Sequence, residues 1–224
     1  MIELRHYKSD TGAVVSALFP KPVYSNYLNR YFSNDEVQCF TDIALSQDPN
    51  EGNTTSVNHH VLDDGRLSDL NKWFELCVGD YFKNIICPSD DITPYITLSW
   101  LNFTNKGEHH HKHIHHNSIV SGVFYINTNE DDKIEFYSEE IHQSIYFSID
   151  DQDRNTFNST SWWLPVQTGK LLLFPSSLRH SVPTVMSDKT RMSLSFNVFV
   201  KGILGTERNK SLSHFSPLSL LHSN

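Results

Sequence analysis

Six of the chain's 13 histidines fall in one short segment, residues 109–116, which reads HHHKHIHH. The segment lies between two strand-like runs, YITLSWLNF and SIVSGVFYIN, so an expression tag does not explain it. On a strand, residues i and i+2 point to the same face. We therefore expect His113 and His115 to present two imidazole nitrogens to one metal ion. His110 and His116 have the opposite parity and are expected to point the other way.

A third ligand must come from elsewhere in the chain, and His180 is the best candidate. It follows the apolar run GKLLLFP and the turn-like SSLR, so it should emerge at the end of a strand. The alternative for His180 is a histidine in a surface loop.

Arg191 begins the run RMSLSFNVF, in which polar and apolar residues alternate. If this run is a strand of a β-barrel and its apolar residues pack outward against helices, its polar residues face the interior of that barrel. A buried guanidinium is costly unless it binds an anion, and its geometry matches a carboxylate. The alternative is an arginine at the rim of the barrel, paired with an acid such as Asp188.

An HxH pair, a later histidine and an arginine eleven residues after it resemble the double-stranded β-helix oxygenases that use Fe(II) and 2-oxoglutarate. More narrowly, the segments ALFPKPVY, SWLNFTNKG, HIHHNSIVSGVFYI, GKLLLFPSSLRHSV and RMSLSFN resemble a 2-oxoglutarate/iron oxygenase family common in bacteria and marine phages, within the prolyl-hydroxylase-like superfamily. The resemblance covers most of residues 15–200 and is strongest in the last hundred residues.

The resemblance implies a role for each residue that matches a family position. Gly107 precedes His113 by six positions, as a glycine precedes the first iron histidine in related enzymes. The implied metal ligands are His113, His115 and His180; the implied 2-oxoglutarate contacts are Arg191 and Ser193 on the distal carboxylate, with Asn102 and Ser121.

One residue departs from the superfamily's pattern, because His115 stands where an Asp or Glu usually completes the metal site. Three hypotheses follow from this departure. In the first, His115 completes a three-histidine site; in the second, Glu135 on the following strand supplies a carboxylate in its place. In the third, His115 is a bystander, and the position is vacant or taken by a residue such as Asn117. A three-histidine site carries one negative charge less than the usual triad, which weakens Fe(II) binding and favours other divalent ions.

The resemblance implies a hydroxylase that uses Fe(II), 2-oxoglutarate and dioxygen and decarboxylates 2-oxoglutarate to succinate. Two other functions stay open at this point. One is a noncatalytic jelly-roll module with a binding or structural role, since a fold alone does not imply chemistry. The other is a cupin-like metalloenzyme with three histidines that does not use 2-oxoglutarate.

Two helices and a series of short strands should position these residues. Helices are predicted after Ser33 and Asn34 and over 67–86, and β-rich runs follow Pro94. We expect an α+β, mainly β, single domain over 1–224: helix-rich to about 93, a double-stranded β-helix (jelly-roll or cupin-like) over about 94–201, and a tail over 202–224. The polar stretches 48–66 and 137–163 are interpreted as loops able to close over an active site.

Composition narrows the class of partner. The net charge of −8 and the lack of a Lys/Arg cluster argue against binding to nucleic acid or to an anionic membrane, so we expect a small-molecule or peptide substrate. Three widely spaced cysteines indicate reduced thiols. With no signal-like start and no long apolar stretch, a cytoplasmic location is expected. The tail SLSHFSPLSLL permits a homodimer without requiring one.

Overall fold

The helices of the protein precede its long strands, as the sequence predicts. The computed structural model describes residues 7–8, 11–89, 91–138, 145, 147–205 and 213–215. The helices are α1 (Asn34–Ile43) and α2 (Ser68–Tyr81), which continues into a π-helical turn (Phe82–Ile86). The strands are β1 (Tyr7–Lys8), β2 (Val14–Val15), β3 (Tyr24–Tyr27), β4 (Gln47–Pro49), β5 (Thr54–Ser56), β6 (Ile92–Thr104), β7 (His110–His113), β8 (Val120–Asn127), β9 (Lys133–Tyr137), β10 (Ser161–Pro165), β11 (Lys170–Pro175), β12 (Arg179–Val182), β13 (Arg191–Leu204) and β14 (Ser213–Phe215).

Two antiparallel sheets form the body of the fold. The larger sheet has the order β3-β11-β8-β13-β6-β5-β4, with β14 paired to β13, and the smaller has the order β10-β9-β12-β7. β1 and β2 form a separate two-stranded sheet. The predicted double-stranded β-helix is confirmed, with the chain passing repeatedly between the two main sheets.

Alternation along the strands of the larger sheet separates two apolar cores. On β8, Phe124 and Ile126 belong to a core that includes buried residues of both helices, whereas Val123 and Tyr125 belong to a second core shared with the smaller sheet. Neighbouring residues of a strand point to opposite faces, so one strand serves both cores. The same alternation on β13 sends its apolar residues toward the helices and leaves its polar ones for the interior of the barrel.

Helix α2 covers the outer face of the larger sheet. Phe74 packs its ring 5.2 Å from that of Phe124 and 5.1 Å from that of Phe196, centroid to centroid. Helix α1 begins with a capping box, in which Ser33 Oγ accepts from Glu36 N at 3.1 Å and the Glu36 carboxylate accepts from Ser33 N at 2.8 Å. The helices therefore brace the sheet from outside and leave its inner face free.

The stretch 48–66 is more ordered than a loop. It contains β5, whose Thr54 and Thr55 pair with Phe103 and Asn102 of β6, followed by two 3₁₀ turns over Val61–Asp63 and Gly65–Leu67. The interpretation as a closing loop is therefore wrong for this segment. Its threonines favour a strand, and pairing with the long β6 is a tertiary interaction that the polar local composition does not reveal.

The other two predicted irregular stretches are described only in part. In 137–163, residues 139–144 and 146 lie outside the described residues, a 3₁₀ turn occupies Asp151–Asp153, and β10 begins at Ser161 and pairs with β9. In the tail, β14 pairs with Gly202–Leu204, and 206–212 and 216–224 lie outside the described residues. Within the described part of the chain, no helix is long and apolar enough to cross a membrane.

Gly122 and Gly79 give opposite expectations for the same substitution. A Cβ on Gly122 would lie 2.2 Å from the buried ring of Phe196, so Gly122→Ala should lower the free energy of unfolding by about 1–3 kcal/mol. Gly79 lies in α2 with open space around it, so Gly79→Ala should raise that free energy by about 0.5–1 kcal/mol. Urea denaturation of both variants measures the difference; equal effects would contradict the close packing of β8 on β13.

Candidate metal centre and anion pocket

Three histidines meet at the inner face of the smaller sheet. His180 of β12 lies directly across from His113 of β7 in the strand pairing. His115 follows β7 and is fixed by its backbone, whose N–H donates to Ser176 O at 3.0 Å. The ring centroid of His113 lies 4.4 Å from that of His180 and 5.0 Å from that of His115. One ring nitrogen of each histidine lies within 4.8 Å of a ring nitrogen of the other two. The structure brings together the three residues that the sequence predicts as ligands.

Hydrogen bonds orient these rings from behind. Nδ1 of His113 lies 2.8 Å from the carbonyl oxygen of His111, and Nδ1 of His180 lies 2.9 Å from that of Leu178. A carbonyl only accepts, so each Nδ1 carries the proton and each Nε2 keeps its lone pair. Metal-ligating histidines are usually held in this way, by a second partner on the other ring nitrogen.

Burial keeps the imidazoles neutral at pH 7. It lowers the pKa of His180 to about 3 and that of His115 to about 4, with further lowering from the neighbouring histidines. The pKa of His113 is lowered by the same cause. Metal ions bind the neutral ring, so protons compete weakly for these nitrogens near neutral pH.

Neither alternative to His115 lies in the cluster. Glu135 pairs with Ser181 on β12, one residue on from His180, so its side chain points to the opposite face, and it accepts from the Tyr137 hydroxyl at 2.8 Å. Asn117 lies in an exposed turn with φ of 56°. Among the described residues, each group of three or more potential ligands within reach of one ion consists of histidines alone.

Arg191 lies inside the barrel, as predicted, with 2% of its surface exposed. Among the described residues, its Nε has no hydrogen-bond partner, and it forms a longer ion pair with Asp132, whose carboxylate oxygen is 3.7 Å away. Its guanidinium carbon lies 5.2 Å from the centroid of the Tyr125 ring, and the hydroxyl of that buried tyrosine also lacks a partner. Donors that are buried and unpaired are costly, so this pair indicates a place for an anion.

The remaining predicted contacts lie in the same pocket, which Arg191 and the three histidines also line. Ser193 is buried and lines it. Asn102 donates from Nδ2 to Ser195 Oγ at 2.9 Å, and its Oδ1 has no partner. The three neutral histidines suit a divalent metal ion, and the buried Arg191 guanidinium suits one carboxylate of a dicarboxylate bound to that ion.

Ser121 lies apart from Arg191. It pairs with Asn197, six residues after Arg191 on β13 or about 20 Å of strand, and its hydroxyl shares a 2.8 Å hydrogen bond with Ser176. Ser121 nevertheless lines the same pocket, so its contact with 2-oxoglutarate stays a prediction. Tyr125, which pairs with Ser193, lies nearer to Arg191. The sequence signal that could have identified Tyr125 as a neighbour of Arg191 is the alternation of β8, which puts residue 125 on the same face as residue 121.

His110 points into the pocket, and the expectation that it faces away is wrong. Its ring stacks on that of His113 at a centroid distance of 4.5 Å and an interplanar angle of 21°. The cause is an irregularity in the pairing of β12 with β7: His180 pairs with His113, but Val182 pairs with His110. Three steps on β7 match two on β12, so a β-bulge breaks the parity on which the sequence argument relied.

Residues 98–197 match the model of a protein family described as "Putative 2OG-Fe(II) oxygenase". This match spans all the candidate site residues. The search of curated proteins finds no match.

The fold is similar to those of solved oxygenase structures at low sequence identity. A prolyl hydroxylase from Trichoplax adhaerens, in complex with a hypoxia inducible factor peptide fragment, has a TM-score of 0.53 and 15% identity over 80% of this chain and 82% of that one. HygX from Streptomyces hygroscopicus, with nickel, 2-oxoglutarate and hygromycin B bound, has a TM-score of 0.51 and 11% identity over 80% and 82%. The carbocyclase SnoK from nogalamycin biosynthesis has a TM-score of 0.54 and 11% identity over 88% and 89%.

The metal-free protein should lose stability as the pH falls below about 6.5. The unfolded chain then binds protons at His180 while the folded state, with a pKa of about 3 there, does not. This one residue should lower the free energy of unfolding by up to about 1.4 kcal/mol per pH unit in that window. Urea denaturation at several pH values, with chelator present, should show a shallower dependence for His180→Gln; parallel curves would contradict the neutral, buried ring.

Proposed function

We propose that this chain, a 2-oxoglutarate-dependent oxygenase by the match of residues 98–197, hydroxylates a small-molecule or peptide substrate at a metal ion held by His113, His115 and His180. The observation that carries the proposal is one pocket lined by both a neutral histidine triad and a buried guanidinium without a hydrogen-bond partner on Nε. The triad suits a divalent ion, and the guanidinium suits the far carboxylate of a dicarboxylate bound to that ion.

Fe(II) and 2-oxoglutarate, when bound, supply the activation of dioxygen: one oxygen atom enters a substrate C–H bond as hydroxyl, and the other enters succinate as carbon dioxide leaves. The protein's contribution is to bind, orient and shield these groups. His113 and His180 offer Nε2 because their Nδ1 atoms are engaged by backbone carbonyls.

Arg191 would bind the distal carboxylate of 2-oxoglutarate, with Ser193 beside it. The hydroxyl of Tyr125 would donate to the same carboxylate, which would give a partner to a donor that has none among the described residues. Asn102 is already held by Ser195 and keeps an unpaired oxygen toward the pocket.

Apolar side chains limit the access of water to the metal position. The Trp100 ring stacks on His115 at a centroid distance of 5.6 Å, and Phe174 packs at 4.8 Å from His180. A low local dielectric strengthens the attraction between the bound anion and Arg191. The same walls keep a reactive oxidant away from solvent.

The neutral triad leaves the preferred metal open between Fe(II) and other divalent ions, because nitrogen donors alone favour later transition metals. A three-histidine metalloenzyme without 2-oxoglutarate would have this triad as well. It would have no use for the buried Arg191, and a noncatalytic module would need neither feature. Binding of 2-oxoglutarate therefore separates the three functions.

An anaerobic titration of the metal-stripped protein, first with Fe(II) and then with 2-oxoglutarate, should produce the weak visible charge-transfer band of bidentate chelation. His180→Ala should abolish the band, because the inner position of His113, His115 and His180 loses a ligand and no longer holds an ion within reach of the Arg191 pocket. Arg191→Met should keep the metal and weaken 2-oxoglutarate binding by at least about 10- to 100-fold, because it removes hydrogen bonds to a charged group. Arg154→Met, at an exposed arginine paired with Asp151, is the matched control and should leave the band unchanged.

Two results of this titration would contradict the proposal. Stoichiometric metal binding without a band would leave a three-histidine metalloenzyme that does not use 2-oxoglutarate. Absence of metal binding by the folded wild type would leave the noncatalytic jelly roll.

Removal of the Tyr125 hydroxyl should separate stability from cosubstrate affinity. Tyr125→Phe removes a buried donor that has no partner, so the free protein should be as stable as wild type or more so. Its dissociation constant for 2-oxoglutarate, measured by calorimetry with a redox-inert divalent ion, should rise about 10- to 100-fold. Tyr24→Phe is the control, because the Tyr24 ring packs edge-to-face on Tyr81 of helix α2 and Tyr24 does not line the pocket. Unchanged affinity in Tyr125→Phe would remove this residue from the carboxylate site.

A further inference from the structure

A second group of histidines adjoins the triad. His110, His111 and His113 each offer a ring nitrogen within 4.8 Å of the other two. Their ring centroids are separated by 4.5 Å for His110 and His113, 4.8 Å for His111 and His113, and 5.1 Å for His110 and His111. The proposed function uses only His113 of these three.

The bulge in β7 explains how three residues of one short strand converge. In a regular strand, His111 and His113 would share one face and His110 would lie on the other. The extra residue between the pairs His180 with His113 and Val182 with His110 turns the His110 ring toward that of His113. Bulges often mark functional sites, because they redirect a side chain at the cost of local pairing.

Each ring of this outer group is held at one nitrogen. Nδ1 of His113 lies 2.8 Å from His111 O, Nδ1 of His111 lies 3.3 Å from Glu51 O, and Nε2 of His110 lies 3.3 Å from the Asn50 amide. One partner per ring leaves the other nitrogen for a ligand. Orientation of this kind is typical of metal-binding histidines.

The Asn50 amide can serve as the acceptor for His110. Asn50 Nδ2 lies 3.0 Å from Asn53 Oδ1, while Asn53 Nδ2 is buried without a partner. Amide oxygen and nitrogen are assigned from the hydrogen-bond network. When both amides are turned over, Asn53 Nδ2 donates to Asn50 Oδ1, and the same oxygen accepts from His110 Nε2. Asn53 Nδ2 then has an acceptor, the partnerless buried position is taken by an acceptor oxygen instead of a donor, and Nδ1 of His110 keeps its lone pair.

We propose that His110, His111 and His113 form a second, outer site for a divalent transition-metal ion, which shares His113 with the inner triad of His113, His115 and His180. Three imidazole nitrogens without a carboxylate suit ions such as Co(II), Ni(II) and Zn(II) better than Mg(II) or Ca(II). The site lies beyond the proposed oxygenase chemistry and does not depend on 2-oxoglutarate.

The shared ligand makes the two positions exclusive. Nδ1 of His113 is engaged by His111 O, so only Nε2 can bind an ion, and it binds one at a time. His111 contacts Glu51 at the exposed surface, whereas His180 is only 6% exposed. An ion from solvent therefore meets the outer group first, and His113, as the ligand common to both groups, connects that position to the inner triad. The outer group acts as a loading position for the inner triad.

Titration of the metal-stripped 224-residue protein with Co(II), followed by equilibrium dialysis and by the visible ligand-field spectrum, tests the site. His180→Ala should still bind one Co(II) ion per chain, now at the outer position, with a spectrum different from that of wild type. Adding His111→Ala to that variant should weaken the binding by about 10- to 100-fold or more, since even a partner that only orients a ligand has that effect. His111→Ala alone should keep the inner site, with slower loading in stopped-flow mixing. His116→Ala, at an exposed histidine outside both groups, is the matched control.

Circular dichroism and the more conservative variant His180→Gln guard against loss of folding at that buried position. The proposal is overturned if folded His180→Ala and His180→Gln bind no Co(II), or if their binding is unaffected by His111→Ala. The outcome is separate from that of the proposed function, because His111→Ala leaves the inner triad and Arg191 in place for the iron and 2-oxoglutarate titration.

Discussion

The burial of Arg191 is the constraint on which the rest of the site depends. A guanidinium that is 2% exposed, with an unpaired Nε and its nearest carboxylate oxygen at 3.7 Å, is unfavourable in the free protein. The surrounding structure must supply the free energy that holds it there. Burial of apolar side chains in the two cores, one on each face of the larger sheet, supplies that free energy. Strand β13 contributes Leu194 and Phe196 to the core on the helix side, while its Arg191 and Ser193 face the pocket.

The charge balance of the pocket follows from the same constraint. The imidazoles of His115 and His180 are neutral near pH 7, so the charged side chain among the described lining residues is Arg191, with the Asp132 carboxylate 3.7 Å behind it. A divalent ion raises the positive charge further, and a dianionic cosubstrate then offsets it. With a carboxylate in place of His115, the metal end would be less positive. The neutral triad therefore favours an anionic bidentate ligand at the metal more strongly than the usual triad does, even though it holds the ion itself less tightly.

Much of this arrangement could be predicted from local sequence, because strand alternation is a local property. The polar and apolar alternation of RMSLSFNVF placed Arg191 inside the barrel, and the HxH pair with His180 gave the cluster. Predictions failed where the answer depended on pairing between distant segments. Strand parity predicted that His110 faces away from the pocket, but the irregular pairing of β12 with β7 turns it inward. The polar segment around Thr54 became a strand only because β6 offered it an edge.

The bulge in β7 links the inner and the outer histidines. A regular pairing of β12 with β7 would keep His113 opposite His180 but would turn His110 away from the pocket. With the bulge, four imidazoles gather around that of His113, whose single free nitrogen can bind an ion with either group. A bulge costs ladder hydrogen bonds, and the inner triad alone does not require it, since His115 lies beyond the strand and is fixed by Ser176. The feature that the bulge provides is access of His110 to the ring of His113, so the irregular pairing is better explained by two metal positions than by one.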